Sequence, residues 1–242
     1  KAARDVVVER TPADATEVCG VEISSPDKVV YQNPTVVKRE VIAYYAAAAE
    51  RMLSYIGGRV LSVVRCHKGV SAACFFKKHP TAAHAGMRIV PVKNSEGETS
   101  DYFCIVEASG LIAEAQQGSL EFHVWGSRAD TLESPDMLVF DLDPDEGLPL
   151  DRVRQGVRDL KKLLTERGLQ CFLKTSGGKG YHVVVPLEPK ADWTTFRAFA
   201  RETAYLMESR WPDRYTANSR KNKRGGKIFI DWGRNTRGAT GV

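Results

Sequence analysis

The chain has 242 residues, 43% hydrophobic and 27% charged, which is enough to bury a sizeable core and excludes wholesale disorder, collagen-like repeats and a small disulfide-stapled fold. No apolar run approaches the ~20 residues that a membrane-spanning helix needs, so no membrane partner is expected. The net charge of +5 is mild, but the segment from Arg214 to Arg237 contains eight Lys or Arg residues, both ends included, and a single acid, Asp231. This concentration of positive charge favours an anionic partner.

The hydrophobic pattern alternates between the periods of helices and of strands. The predicted elements are, in chain order, a helix over 38–56, strands over 61–64 and 72–76 joined by a turn at 68–69, a helix over 109–117, strands over 120–125 and 137–143, a helix over 151–168, strands over 171–174 and 181–186, a helix that begins near Trp193, and a strand over 227–231. This order predicts an α+β fold with mixed sheets and helices on their outer faces. Because no repeat or linker interrupts the pattern, residues 1–242 are interpreted as a single domain, which begins with Lys1 and is compatible with a fragment of a longer chain.

The cysteines are odd in number and no two of them form a C-x-x-C pair. Cys66-His67 is too compact for a zinc knuckle and has no second pair of ligands. Free thiols in a reducing cytoplasm are therefore predicted. The five residues are Cys19, Cys66, Cys74, Cys104 and Cys171.

Three aspartates lie where strands should be apolar. Asp141 and Asp143 are two residues apart on one predicted strand, so they face the same way. Burying two such carboxylates costs several kcal/mol unless cations compensate, and oxygen ligands of this kind suit Mg²⁺ or Mn²⁺. The alternative is a strand end that enters solvent, with Asp-Pro-Asp as a turn. Asp231 ends a second apolar strand among basic residues, so the three acids together favour a two-metal site for nucleotidyl transfer.

A glycine-rich turn, Ser176-Gly177-Gly178-Lys179-Gly180, joins two predicted strands. It lacks the spacing and the following helix of a Walker A loop. Its glycines nevertheless let backbone N–H groups approach an anion, while Ser176 and Lys179 add a hydroxyl donor and a charge. His182 lies three residues beyond Lys179 and is expected to face the same site. A plain glycine hairpin with a solvated lysine is the alternative, but the carboxylates and the basic run favour a triphosphate-binding turn.

Taken together, several segments resemble the polymerase domain of bacterial ligase D, of the archaeo-eukaryotic primase superfamily. The likeness extends from about residue 20 to the end of the chain. It implies a primase-like α+β fold, with mixed or antiparallel sheets and flanking helices around a central catalytic cleft. The matching segments are Ser25-Pro-Asp-Lys28, Arg65, Cys74-Phe-Phe-Lys-Lys-His79, Leu120-Glu-Phe-His-Val-Trp125, Val139-Phe-Asp-Leu-Asp-Pro144, Thr175-Ser-Gly-Gly-Lys-Gly-Tyr-His182 and Gly226-Lys-Ile-Phe-Ile-Asp-Trp-Gly-Arg-Asn235.

The resemblance implies a template-dependent DNA/RNA polymerase of bacterial non-homologous end joining, a nucleotidyltransferase that fills gaps and extends ends at double-strand breaks. Such enzymes favour ribonucleotides, and some also act as primases. The implied cofactors are two Mn²⁺ or Mg²⁺ ions, with NTP or dNTP as substrate. The implied partners are DNA with gaps, overhangs or break ends that carry a 5′-phosphate, the protein Ku and an ATP-dependent DNA ligase, in a cytoplasmic, nucleoid-associated location.

The resemblance also implies a role for each matching site residue. Asp141, Asp143 and Asp231 would be the catalytic acids that bind metal. The residues that would hold the incoming nucleotide are Ser176, Gly177, Lys179, His182, Lys221 and Arg224.

The resemblance implies roles for five further residues. His123 would line the nucleotide pocket, although its strand offers it no obvious partner. Phe75 and Phe76 would lie near the template, and because adjacent strand residues face opposite ways, one is expected to stack on a base and the other to join the core. Lys28 and Lys38 match family lysines that bind the 5′-phosphate of the downstream strand.

Two other functions remain open from the residues alone. A metal-dependent nuclease or phosphoesterase would use the same carboxylates, but a dedicated triphosphate site argues against it. A non-catalytic module that binds 5′-phosphorylated DNA ends would gain nothing from acids beside phosphates.

Overall fold

The computed structural model describes residues 16–175, 178 and 180–240, which fall into two compact units that meet in sequence at Val124 and Trp125. Within the described residues, no helix combines the length and the apolar character needed to cross a bilayer. Both units mix helices with sheets, and the sheets are antiparallel or mixed. The predicted α+β class is therefore confirmed.

The first unit packs two helices beside small antiparallel sheets. Three strands form a sheet in the order β6-β5-β9, and three hairpins pair β1 with β2, β3 with β4 and β7 with β8. The predicted helix over 38–56 is observed with the same bounds. The elements are β1 (Glu17–Val18), β2 (Val21–Glu22), β3 (Val29–Gln32), β4 (Thr35–Val37), α1 (Lys38–Ile56), β5 (Leu61–Arg65), β6 (Phe75–Lys77), β7 (Met87–Lys93), β8 (Thr99–Ile105), α2 (Ala108–Gln116) and β9 (Ser119–Val124).

Cys66 and Cys74 form a disulfide, so the prediction of free thiols is wrong for this pair and holds for the other three cysteines. The two residues flank antiparallel neighbours, because Cys66 follows β5 and Cys74 precedes β6. Pairing of the two strands brings their α-carbons to 4.4 Å, which is close enough for a disulfide. A sequence separation of eight residues does not reveal this proximity, since it depends on the register of the hairpin.

The second unit is a five-stranded sheet, with the order β11-β12-β10-β14-β13, covered on one face by two helices. All neighbouring strands are antiparallel except β13 and β14. The central position of the strand that carries the aspartate pair is as predicted. The elements are β10 (Met137–Pro144), α3 (Leu150–Thr165), β11 (Phe172–Thr175), β12 (Tyr181–Pro186), α4 (Trp193–Arg210), β13 (Tyr215–Thr216) and β14 (Ile228–Asp231), with short 3-10 turns at Ala129–Thr131 and Lys221–Lys223.

The two faces of β10 have different surroundings. Leu138, Phe140 and Leu142 are fully buried and pack in one core with α3 and α4. Gly156 lets α3 lie close to the sheet, since a Cβ atom there would stand 3.0 Å from Leu142 Cδ2. The alternate residues of β10 therefore present Asp141 and Asp143 on the face away from the helices.

Candidate active site

A row of ionisable side chains crosses four strands of the second unit. Lys174 on β11 pairs with His182 on β12, His182 pairs with Asp141 on β10, and Asp141 pairs with Asp231 on β14. Directly paired residues of antiparallel strands share a face, with Cβ atoms about 4.5–5.5 Å apart. Asp143 lies two residues beyond Asp141 on the same face. The structure thus brings the three predicted aspartates and His182 together.

Two arginines neutralise these aspartates. Arg234 Nη2 lies 2.8 Å from Asp141 Oδ2, and its Nε lies 3.7 Å from Asp231 Oδ2. Arg224, which is 7% exposed, donates from Nη1 to Asp143 Oδ2 at 2.8 Å. The guanidinium groups therefore supply the positive charge that offsets the cost of partly burying these carboxylates.

The electrostatic environment differs between the two paired aspartates. Burial raises the pKa of Asp231, and the negative charges of the neighbouring aspartates raise it further. Burial also acts to raise the pKa of Asp141, but contacts with His182, whose Nε2 lies 3.6 Å away, and with Arg234 outweigh it and lower that pKa. The carboxylates are thus close enough to repel one another, as expected of groups that share cations.

The donor set fits divalent cations by type, because hard ions prefer carboxylate oxygens. In the part of the chain that the structure describes, no three His, Cys, Asp or Glu side chains already surround a common point as ligands. Instead, Arg234 engages Asp141 and Arg224 engages Asp143. Metal binding at this site would compete with both arginines.

Gly180, the last residue of the glycine-rich turn, lies close to Asp141. Ser176, Gly177 and Lys179 lie outside the described residues. At Gly180, a Cβ atom would collide with the Leu142 carbonyl oxygen and stand 3.6 Å from Asp141 Oδ1, so only glycine permits this approach.

His182 is 7% exposed, and its Nδ1 is buried without a hydrogen-bond partner in the described structure. Buried polar atoms are normally paired, so an orphaned ring nitrogen in this row suits a ligand atom. The two basic residues that are predicted to help hold the incoming nucleotide differ in their exposure to solvent. Lys221 is exposed at the start of a 3-10 turn, whereas Arg224 is buried against Asp143.

In the first unit, two expectations are corrected. His123 does have a partner, because its Nε2 lies 2.7 Å from Oε2 of Glu121, two residues away on the same strand face. Phe75 and Phe76 are both exposed, at 52% and 62%, so neither belongs to the core. The buried member of this three-residue strand is Lys77, and the Phe76 ring lies 5.6 Å from that of His123. Phe76 and His123 thus share an exposed sheet face.

Lys28 and Lys38 lie in one cluster of cations. Lys28 Nζ donates to the His67 carbonyl, and Lys38 Nζ donates to the Ser24 carbonyl at 2.7 Å. Burial and then the charge of Lys28 lower the pKa of Lys38. The pKa of His67 is lowered by the charge of Lys28, by burial and by further cations of the cluster. These further cations are Arg65, Lys68 and Lys38.

Sequence reasoning missed Lys174, Arg234 and Asn235. Asn235 is 2% exposed; its Oδ1 accepts from the Val139 N–H at 2.8 Å, and its Nδ2 donates to the Val139 carbonyl at 2.6 Å. This amide therefore pairs with β10 as a neighbouring strand would, two residues before Asp141. Hydrophobic periodicity gives no sign of such a contact, because it depends on where the chain turns after Asp231.

We expect Asn235→Ala to destabilise the protein by about 1–3 kcal/mol, since the N–H and carbonyl of Val139 would be left buried and unpaired. Urea unfolding measures the change. Asn222→Ala, at an exposed position, is the control and should change stability by less than about 0.5 kcal/mol. Equal stabilities for the two variants would contradict the role assigned to Asn235.

Comparison with known proteins finds relatives of this chain. A family model for the LigD primase-polymerase domain matches residues 37–242. The multifunctional non-homologous end joining protein LigD of Pseudomonas aeruginosa is 36% identical over 95% of this chain and 27% of its own length. The LigD protein of Mycolicibacterium smegmatis is 33% identical over 92% of this chain and 29% of its own. The chain thus spans less than a third of the length of these relatives.

A solved structure shows the same architecture. The polymerase domain of Mycobacterium tuberculosis ligase D in complex with DNA superposes with a TM-score of 0.85 and 32% sequence identity. The match covers 92% of this chain and 80% of that one. The primase-like fold implied by the sequence resemblance is therefore confirmed. The chain belongs to the LigD primase-polymerase family, whose domains are nucleotidyltransferases of the DNA polymerase type.

Proposed function

We propose that this chain extends and fills broken DNA ends by template-directed nucleotidyl transfer in non-homologous end joining, with a preference for ribonucleotides. The observation that carries the proposal is the register of Asp141 with Asp231 and His182, with Asp143 on the same face. A polymerase domain of this family uses a divalent metal and nucleoside triphosphates. The finer proposal is a site for two ions, Mn²⁺ or Mg²⁺, held by the three aspartates.

When bound, two such ions supply Lewis-acid activation of the attacking 3′-hydroxyl and charge neutralisation at the leaving pyrophosphate. The aspartates offer the oxygen ligands. Arg224 and Arg234 hold those carboxylates in the present arrangement, and release of either arginine frees a guanidinium that can pair with phosphate oxygens. This exchange reconciles the prediction that Arg224 binds nucleotide with its contact to Asp143.

For the nucleotide, we propose that the triphosphate lies at the glycine turn beside the aspartates. Ser176, Gly177 and Lys179 remain proposed contacts, together with Lys221. Support comes from the orphaned Nδ1 of His182 and from the close approach of Gly180 to β10. Lys174 pairs with His182 in the row, and burial and the charge of Arg234 lower its pKa.

For DNA, we propose that exposed rings of the first unit contact bases and that its lysine cluster binds a 5′-phosphate. Phe75 and Phe76 offer flat apolar surfaces that stack on any base, and His123 lies beside Phe76 for contact with a nucleotide. Lys28 and Lys38 donate to carbonyls rather than carboxylates, so their charges stay available to a phosphate.

The family model spans parts of both units, which supports our proposal that they act as one catalytic domain. Within the repair process, we propose that the chain works with Ku and an ATP-dependent DNA ligase on gapped, overhanging or broken DNA. A cytoplasmic, nucleoid-associated location belongs to the same proposal. The names of the LigD relatives, which refer to end joining, support it.

The test of the proposed function is primer extension across a gap with a 5′-phosphate, with NTP or dNTP and with Mn²⁺ or Mg²⁺. We expect extension with both nucleotides, faster with NTP. Release of nucleotides from labelled DNA without added triphosphate would indicate a nuclease instead. Binding to phosphorylated ends without any extension would indicate a non-catalytic end-binding module.

Lys28→Ala is expected to weaken binding to DNA ends that carry a 5′-phosphate by about tenfold, because a charge-assisted hydrogen bond contributes about 1.5–3 kcal/mol. Fluorescence anisotropy with phosphorylated and hydroxyl ends measures the difference. Lys93→Ala, at an exposed position on β7, serves as the control for loss of one charge. Equal weakening on both kinds of end would reject the 5′-phosphate site.

A further inference from the structure

An arginine pocket lies on the outer side of α3, in the second unit. The surface cavity has a volume of about 470 Å³ and is lined by charged and amide side chains. Four of them come from α3, and one comes from the segment between α4 and β13. The lining residues are Asp151, Arg152, Gln155, Arg158 and Arg214.

A buried carboxylate beneath the pocket holds its side chains in place. Asp159 is 8% exposed and accepts hydrogen bonds from Tyr215 Oη at 2.5 Å, Gln155 Nε2 at 2.9 Å and Arg214 Nη1 at 3.3 Å. The carbonyl oxygen of the Gln155 side chain in turn accepts from Arg158 Nη2 at 3.1 Å. Two guanidinium groups are thus oriented through one network that ends on a buried acid. A solvated surface arginine needs no hydrogen bonds that fix its side chain. An arginine that is already held in position loses less conformational entropy when it binds a ligand.

The charges of the pocket are unbalanced. Its lining carries three guanidinium groups and one carboxylate, Asp151, which also pairs with Arg154 at 3.0 Å. The buried carboxylate of Asp159, beneath the pocket, neutralises a second of the three guanidinium charges. Arg152 is exposed, and the hydrogen bonds of Arg158 go to a neutral amide. An excess of positive charge in a concave site favours an anion, and the planar fork of arginine matches phosphate oxygens in pairs.

The positively charged side chains extend along α3 over a distance greater than the size of one phosphate group. Lys162, one turn after Arg158, is exposed, and it lies ten residues beyond Arg152, about 15 Å along the helix axis. This length exceeds one phosphate group and favours a ligand with repeated phosphates. Because no aromatic ring lines the pocket, the described lining offers contacts to a backbone and no platform for stacking bases.

The pocket is separate from the aspartates. α3 packs on the face of β10 that carries Leu138, Phe140 and Leu142, whereas Asp141 and Asp143 lie on the opposite face. The sheet therefore stands between the two sites. We propose that the arginine pocket, continued by Lys162, binds the phosphodiester backbone of a nucleic-acid strand at a second site, independent of the sequence and of the catalytic aspartates.

The first test maps arginine accessibility in the unmodified protein. Phenylglyoxal labelling with mass spectrometry is performed with and without a blunt DNA duplex that has 5′-hydroxyl ends. We expect the duplex to protect Arg152 and Arg158, while the exposed Arg51 on α1 stays reactive. Absence of protection would overturn the proposal. Equal protection by inorganic phosphate or by a nucleoside triphosphate alone would also overturn it, in favour of a site for small anions.

The second test measures the salt dependence of duplex binding. Each phosphate contact contributes about 0.9 to the slope of log affinity against log salt, so Arg152→Gln/Arg158→Gln should make the slope less negative by about 1.8. Arg152→Lys/Arg158→Lys keeps the charges and should retain the slope. Arg51→Gln/Lys190→Gln removes two exposed charges elsewhere and is the matched control. An equal change in slope for the control would show that only net charge matters and would reject the site.

Extension of gapped DNA at saturating concentration should be unchanged in the Arg152→Gln/Arg158→Gln variant, because these residues lie across the sheet from the aspartates. A loss of extension with an unchanged slope would contradict a separate site. Neither the labelling nor the slope depends on turnover, so failure of the proposed polymerase function would be seen separately.

Discussion

Asp231→Asn is expected to lower the rate of nucleotide transfer by at least about 10²–10³-fold, the usual effect of removing one preorganised electrostatic group from a catalytic site. Asp231 pairs with Asp141 across β10 and β14, so the amide would replace one of the two opposed carboxylates that we propose as metal ligands. The measurement is primer extension on gapped DNA with Mn²⁺. Asp141→Asn should have the same effect, and Asp213→Asn, at an exposed position, should have none.

DNA binding should remain in both inactive variants, which separates catalysis from binding. Synthesis at the wild-type rate in either one would contradict the assignment of these aspartates to the metal site. The same comparison distinguishes the polymerase from an end-binding module, which would not need either acid.

The Asp231 variant should also be more stable than the wild type in metal-free buffer at neutral pH. The pKa of Asp231 is raised in the folded protein, mainly by burial, so the folded state holds the proton more tightly than the unfolded chain. Its contribution to stability is full below the ordinary value of 3.8 and is lost as pH rises through the raised value. Urea unfolding with EDTA should therefore show Asp231→Asn gaining on the wild type as pH increases from about 4.

Addition of Mn²⁺ should reverse this order, because a ligand that binds only the folded state stabilises it by mass action. The wild type should gain stability with Mn²⁺ concentration, and Asp231→Asn should gain much less. A gain of equal size in both proteins would place the ion elsewhere.

Lys77→Met is expected to destabilise the protein by about 3–5 kcal/mol, the usual effect of removing one partner of a buried ion pair. Lys77 Nζ lies 2.7 Å from Glu114 Oε1, and the two side chains are 5% and 0% exposed. Ser119 Oγ donates to the other carboxylate oxygen at 2.8 Å. Without the lysine, Glu114 would keep one hydrogen bond and no countercharge. Urea unfolding measures the loss.

The double variant Lys77→Met/Glu114→Leu should recover much of that stability, because an apolar pair of similar size can replace a buried ion pair at little cost. Lys190→Met, at an exposed position, controls for the loss of one lysine. If Lys77→Met changed stability by no more than Lys190→Met, the ion pair would have no structural role. The Lys77–Glu114 ion pair connects β6 to α2, so loss of this pair should also change the positions of Phe75 and Phe76 on β6.

Local patterns in the sequence determined much of the fold. The helix over 38–56 is predicted and observed with identical bounds, because its apolar spacing is a property of one segment. The central strand with its aspartate pair is predicted for the same reason, since a run of apolar residues needs burial on both faces. The convergence of Asp231 with Asp141 is confirmed because both aspartates belong to strands of one sheet.

Only the tertiary structure decided which residues meet across strands and turns. The register of the β5–β6 hairpin joined Cys66 to Cys74, and the turn after β14 placed Arg234 on Asp141 and Asn235 on Val139. Such contacts depend on strand order and register, which a one-dimensional pattern of polar and apolar residues does not encode. The sequence by itself therefore determined the helices, the strands that carry the aspartates and the family, whereas the packing of distant segments decided what surrounds and neutralises the proposed catalytic acids.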